Sequence, residues 1–166
     1  IVMEVAQKKH ANIEIQVVPG ITAASAAAAI LGAPLMHDFS VISLSDLMTP
    51  LELILKRIEC AGMADMVTCL YNPKSKKRKT FVEQAADILL RYRNSQTPVG
   101  VVRHAGRPEE SSYLTTLGEL KDMPLDMFCV VIIGNSSTYI LDGKMITPRG
   151  YEKKYEKSIE NWNKKK

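Results

Sequence analysis

Aromatic residues make up only 6% of these 166 residues, and there is a single tryptophan. The three cysteines, Cys60, Cys69 and Cys129, are odd in number and widely spaced. No Cys-x-x-Cys pair or His/Cys ligand spacing occurs, so no metal is expected. Cys69 and Cys129 lie inside apolar runs, as reduced core thiols of a cytoplasmic protein do. The apolar runs fall short of the roughly 20 residues that cross a bilayer, and no signal peptide is recognisable, so no membrane partner is expected. Charge of one sign is also missing from the body of the chain. Residues 151–166 hold six lysines against three glutamates, whereas residues 1–150 hold 16 bases against 15 acids. The net +4 is therefore mostly a basic tail, and no nucleic-acid partner is expected. There are no internal repeats, and no Ser-His-Asp set, carboxylate pair or reactive cysteine constellation. An initiator methionine is absent as well. Ile1 opens directly on a helical pattern, which suggests a fragment or processed piece whose upstream part is elsewhere.

At 46% hydrophobic, the chain can bury a sizeable core. Residues 1–6 read as the end of a helix with a basic stop at Lys8, Lys9 and His10. Residues 13–18 alternate as a strand and are halted by Pro19-Gly20. Residues 21–31 are nearly all alanine and small apolar residues, a helix that lets neighbouring backbones approach closely, closed by Gly32 and Pro34. Further strands are expected at 41–44, 66–71, 98–103, 112–116 and 128–133. Helices are expected from Thr49 to about residue 61 and from Thr80 to about residue 92. Thr49-Pro50-Leu51-Glu52 and Thr80-Phe81-Val82-Glu83 read as capping boxes. Asp142-Gly143, between two short apolar runs, is a strong hairpin signal. This order predicts an α/β fold whose mixed sheet turns antiparallel at its late edge. The natural division is 1–36, 37–150 and a basic tail, 151–166.

The densest chemical signal is Tyr71-Asn72-Pro73-Lys74-Ser75-Lys76-Lys77-Arg78-Lys79. A predicted strand stops at an Asn-Pro break, five cations follow within six residues, and a helix opens at Thr80. Cationic loops at that position in α/β folds hold anionic ligands. A solvated, lysine-rich turn is the other reading of the same run.

Five segments in register carry a family resemblance. They are Val18-Pro19-Gly20-Ile21-Thr22-Ala23-Ala24, Tyr71-Asn72-Pro73-Lys74-Ser75-Lys76, Val102-Arg103-His104-Ala105-Gly106-Arg107, Thr115-Thr116-Leu117-Gly118-Glu119-Leu120 and Val131-Ile132-Ile133-Gly134-Asn135-Ser136. Together they resemble the C-terminal two thirds of a tetrapyrrole (corrin/porphyrin) methylase. The segments at 32–47 and 71–76 are similar to the branch that methylates precorrin-3B, or its cobalt analogue, at carbon 17 with ring contraction in cobalamin synthesis.

The resemblance implies two α/β domains with S-adenosylmethionine (SAM) between them. On that view residues 1–36 are the end of the SAM-binding N-terminal domain plus a linker helix, and 37–150 are the C-terminal domain. Two family motifs, a Gly-Pro-Gly loop and a Gly-Asp loop, have no match here. It also implies cofactor contacts at Thr22, Ala23, Asn72, Ala105 and Met127. Lys74, Lys76, Arg78, Arg103 and Arg107 are then candidates to pair with the carboxylates of a tetrapyrrole substrate. Ring contraction needs a proton mover, for which His37, Asp38 and His104 are the candidates. A homodimer is expected from the relatives. The rival readings are a sister methylase acting on another tetrapyrrole, a protein or ribosomal RNA, and a non-catalytic anion-binding module.

Overall fold

In the computed structural model, residues 1–75 and 78–151 are described. Helix α1 (Val2–Lys8) has no buried residue and ends at the basic stop. Helix α2 (Ala23–Leu31) follows, then β1 (Gly32–Ala33), β2 (Phe39–Ser43), α3 (Leu51–Met63), β3 (Val67–Tyr71) and α4 (Phe81–Leu89). Strands β4 (Pro98–Arg103), β5 (Ser111–Thr116), β6 (Cys129–Ile133), β7 (Tyr139–Leu141) and β8 (Lys144–Ile146) complete the described elements, with one 3-10 turn at Leu120–Asp122. Residues 13–18, expected as a strand, pair with no described strand, and most of them are exposed. An alternating pattern makes a strand only where a neighbour completes its ladder.

The main sheet has five strands in the order β2-β3-β6-β4-β5. Only β2 and β3 run parallel; β6 is antiparallel to both β3 and β4, and β4 to β5. The sheet is mixed as expected, but its antiparallel part extends well beyond one edge. A second, three-stranded sheet joins β1, β8 and β7. Its β7–β8 turn has φ of 47° at Asp142 and 70° at Gly143, the doubly left-handed geometry that an Asp-Gly hairpin supplies.

Both capping-box expectations fail at the side-chain level. Pro50 takes the N-cap of α3, leaving Thr49 one residue outside, and no side chain caps that helix. Thr80 does precede α4, but its φ of −107° and ψ of −2° are not cap geometry. Its Oγ1 instead accepts a bond from Gln84 Nε2 at 3.3 Å.

Strand alternation divides the core into two layers. One face of the sheet sends Leu70, Val99, Val101, Val131 and Ile133 against Ile54, Ile58, Val82, Ala85 and Leu89 of α3 and α4. The other sends Val67, Cys69, Val102, Val130 and Ile132 against Ala24, Ala27, Ala28 and Leu31 of α2. Gly100 makes the second contact close: a Cβ there would stand 2.3 Å from the Leu31 Cδ1. The alanine-rich helix and the strand glycine together let α2 lie directly on the sheet.

Arg93 ties the far end of this sheet to α3. It is 6% exposed, and its guanidinium donates to the carbonyls of Gly134 at 2.8 Å, Ala61 at 3.3 Å and Met66, and to Thr68 Oγ1 at 3.4 Å. Burial lowers its pKa, partly countered by the charge of Asp65. Arg93→Met should cost about 3 kcal/mol, since it strands several carbonyls away from water. Denaturant unfolding measures it, and a loss under about 1 kcal/mol would show that these carbonyls find other donors.

Candidate functional site

The C-terminal ends of β3 and β4 and the start of β6 meet at one edge of the sheet, and the N-terminus of α2 reaches the same edge. A cavity of about 260 Å³ opens there, lined by Ala23, Tyr71, Asn72, His104, Ala105, Arg107 and the start of β6 from Met127 to Val130. Ala23, Asn72, Ala105 and Met127, four of the five expected cofactor contacts, line this one cavity. The fifth, Thr22, is the N-cap of α2, and its Oγ1 accepts the Ser25 N–H at 3.3 Å.

Two chain turns shape the opening. Asn72 and His104, each the first residue beyond its strand, have φ of 52° and 55°. The left-handed backbone turns each chain sharply off the sheet edge. Asn72 Nδ2 donates to Ser43 Oγ at 3.0 Å, so its side chain is spent on the neighbouring strand end. Tyr71 Oη accepts the Ala24 N–H at 2.8 Å, which pins the first turn of α2 over β3. The Ala23 N–H, in the first turn, has no intrahelical acceptor.

A second, more apolar cavity of about 790 Å³ adjoins the first. Leu47, Leu125, Met127 and Phe128 form apolar parts of its lining; Lys74, Arg78 and Lys79 supply cations. Arg78 is partly committed, with its Nη1 3.1 Å from Ser45 Oγ and 3.3 Å from Asp46 Oδ1. Met127 and Phe128 line both cavities.

The remaining expected site residues separate clearly. Arg107 lines the smaller cavity. The Arg103 Nε donates to Asp126 Oδ2 at 2.8 Å, so its charge already has an internal partner. His104 is in the smaller cavity and stacks on Phe128, with ring centroids 4.9 Å apart. His37 and Asp38 sit at the opposite end of β2, a strand length or on the order of 15 Å away. There the Asp38 N–H donates to His37 Nδ1 at 2.8 Å, a local turn beside Asp65 and Ser136. Lys76 lies outside the described residues. Among the described residues no group of His, Cys, Asp or Glu is placed to hold a metal.

Tyr71, Asp126 and Phe128 were not among the expected site residues. Phe128 had a sequence signal, being one of three phenylalanines and placed where an apolar run begins. Asp126 had none, because its role depends on Arg103 approaching from another strand. Burial raises the Asp126 carboxyl, but bonds from Arg103, the Phe128 N–H and the Cys129 thiol bring it below the usual carboxylate range.

The profile of the family described as Tetrapyrrole (Corrin/Porphyrin) Methylases matches residues 1–121. The chain belongs to that family. It is 53% identical over 151 residues to a Salmonella typhimurium protein named probable cobalt-factor III C(17)-methyltransferase, covering 91% of this chain and 63% of that one. A Sinorhizobium protein named precorrin-3B C(17)-methyltransferase is 42% identical over 145 residues, covering 84% of this chain and 57% of its own length. The crystal structure of the methyltransferase CobJ superposes with a TM-score of 0.81 at 35% identity, covering 89% of this chain and 62% of that one. The chain thus spans less than two thirds of each of these proteins.

Burial pushes the Cys69 thiol up to about 12 and the Cys129 thiol, in the cavity wall, up to about 11. Both therefore stay protonated at pH 8, and only exposed Cys60 should react with a thiol reagent in the native protein. All three should react once the chain is unfolded. Mass spectrometry after alkylation checks this, and native labelling of Cys129 would show a more open wall.

Proposed function

We propose that this chain supplies the nucleoside side and the substrate floor of a SAM-dependent methyltransferase acting on a corrin precursor. The acceptor in this reading is precorrin-3B or its cobalt counterpart, methylated at carbon 17 with ring contraction. The observation that carries it is the pair of adjoining cavities, one small and flanked by alanines, the other apolar with cations in its lining. The relatives' names supply the reaction.

The fit to SAM is partial and physically reasonable. A cavity of about 260 Å³ is smaller than the usual 300–1,000 Å³ of whole-ligand pockets and suits the nucleoside end of one. Ala23 and Ala105 leave space for a flat ring, and Tyr71 keeps a hydroxyl hydrogen to donate after accepting from Ala24. When bound, SAM supplies a methyl group activated by its sulfonium. The residues here bind and orient. Alignment of donor and acceptor in neighbouring cavities can lower a barrier by up to about 7–11 kcal/mol in ideal cases, without an acid or base. For the proton transfer that ring contraction needs, His104 is the candidate that lies inside the cavity.

The larger cavity suits a flat polycarboxylate. Leu47, Leu125 and Phe128 cover the macrocycle, while Lys74, Arg78 and Lys79, with Arg107 from the adjoining cavity, meet its acidic arms. Lys76 belongs to the same cationic run. Two further parts of the reading are a cytoplasmic location, supported by three free cysteines, and a homodimer. Exposed apolar side chains at Val17, Val18, Ile21, Phe39 and Val41 support an assembled form. No helix of the described residues is long and apolar enough to cross a membrane.

The complete gene product should bind S-adenosylhomocysteine in calorimetry and transfer a methyl from SAM to precorrin-3B or cobalt-factor III. Absence of both would end this reading. Lys74→Gln with Lys79→Gln should weaken tetrapyrrole binding about tenfold at low salt, less at high salt, and leave S-adenosylhomocysteine within about twofold. Equal loss of both ligands would contradict the division between the two cavities.

A further inference from the structure

One short turn makes the wall between the two cavities. Asp126 Oδ1 accepts the Phe128 N–H at 2.8 Å and the Cys129 thiol at 3.3 Å, which closes the turn. The other carboxylate oxygen, Oδ2, takes the Arg103 Nε at 2.8 Å. The Arg103 guanidinium carbon stands 5.8 Å from the centre of the Phe128 ring, and His104 stacks on that ring with 18° between planes. Met127 and Phe128 are 54% and 51% exposed, so core packing does not hold them. The orientation of Phe128 rests on these polar and stacking contacts.

Arg103 is not among the residues lining either cavity. Its Nε–H bond to Asp126 holds the guanidinium beside the Phe128 ring, outside the lining of both cavities. We infer that Arg103 is a positioning residue: through Asp126 and Phe128 it holds the wall shared by both cavities, and it does not itself pair with a substrate carboxylate. The inference deepens the functional reading above and rests on it. Its consequence is distinctive, because one cation outside both cavities then controls donor and acceptor binding alike.

The test uses the complete gene product with two probes, S-adenosylhomocysteine and uroporphyrin, a stable polycarboxylic tetrapyrrole. Arg103→Met should weaken both by similar factors, about fivefold or more, and Asp126→Asn should do the same. The double variant should be no worse than either single one, since both act through one contact. In the double variant Arg103→Met/Asp126→Asn, which leaves no unpaired carboxylate at the larger cavity, the salt dependence of uroporphyrin binding should stay unchanged, because no direct ion contact is removed. In proton NMR, the His104 ring C–H signals, displaced by the Phe128 ring current, should move toward their solvent positions in Arg103→Met while the amide dispersion of the core is kept.

Loss confined to uroporphyrin, with a shallower salt dependence, would overturn the inference and make Arg103 a direct carboxylate partner. Unchanged binding of S-adenosylhomocysteine would overturn it too. Should Arg103→Met fail to fold, Arg103→Lys keeps a charge near Asp126 but loses the planar group beside Phe128. It should show intermediate loss for both probes, and loss for uroporphyrin alone again overturns the inference. Wild type that binds neither probe sinks the functional reading and this inference together, a result distinct from wild type that binds both.

Discussion

The five residues of β6, Cys129–Ile133, are all buried and must be covered on both faces of the sheet. That constraint places every element that reaches the site. On one face α3 and α4 provide the cover; on the other α2 does, close-packed through its alanines and the space at Gly100. Once α2 lies there, its first turn is carried to the sheet edge where β3 and β4 end and β6 begins. The Tyr71–Ala24 hydrogen bond then fixes the meeting point. The site follows from covering β6.

The two adjoining cavities differ in character because they border different parts of that edge. The smaller lies where α2 meets the strand ends, among alanines and left-handed turns. The larger lies beyond the Met127–Phe128 wall, beside Leu47, Lys74, Arg78 and Lys79. A charged loop over an apolar floor suits a ligand with a flat apolar body and acidic arms. In the proposed reading the cations would have to act collectively, since each exposed pair contributes only about 0–1 kcal/mol.

Much of this was legible in the residues. Strands at 66–71 and 98–103 were visible as apolar runs bounded by turn residues, and the Asp-Gly hairpin was visible because its turn geometry is local. Ala23, Asn72, Ala105 and Met127 were named from motif positions, and they line a single cavity. What was illegible was non-local. Residues 13–18 carry a strand pattern without a described pairing partner, and both capping boxes depend on dihedrals that the motif does not dictate. His37 and Asp38, named together with His104 for proton transfer, are separated from it by the length of a strand.

Hydrophobic period, turn chemistry and charge placement are properties of neighbouring residues, so the chain alone settled most of its element types and the run of cations after Pro73. Which strands are neighbours, and which partner each charge finds, depends on segments tens of residues apart. Only the folded chain could set Arg103 against Asp126 and Tyr71 against Ala24, because those pairings exist only after β3, β4, β6 and α2 have been packed together. Burial of the sheet's two faces decides that packing, and with it which side chains share a cavity.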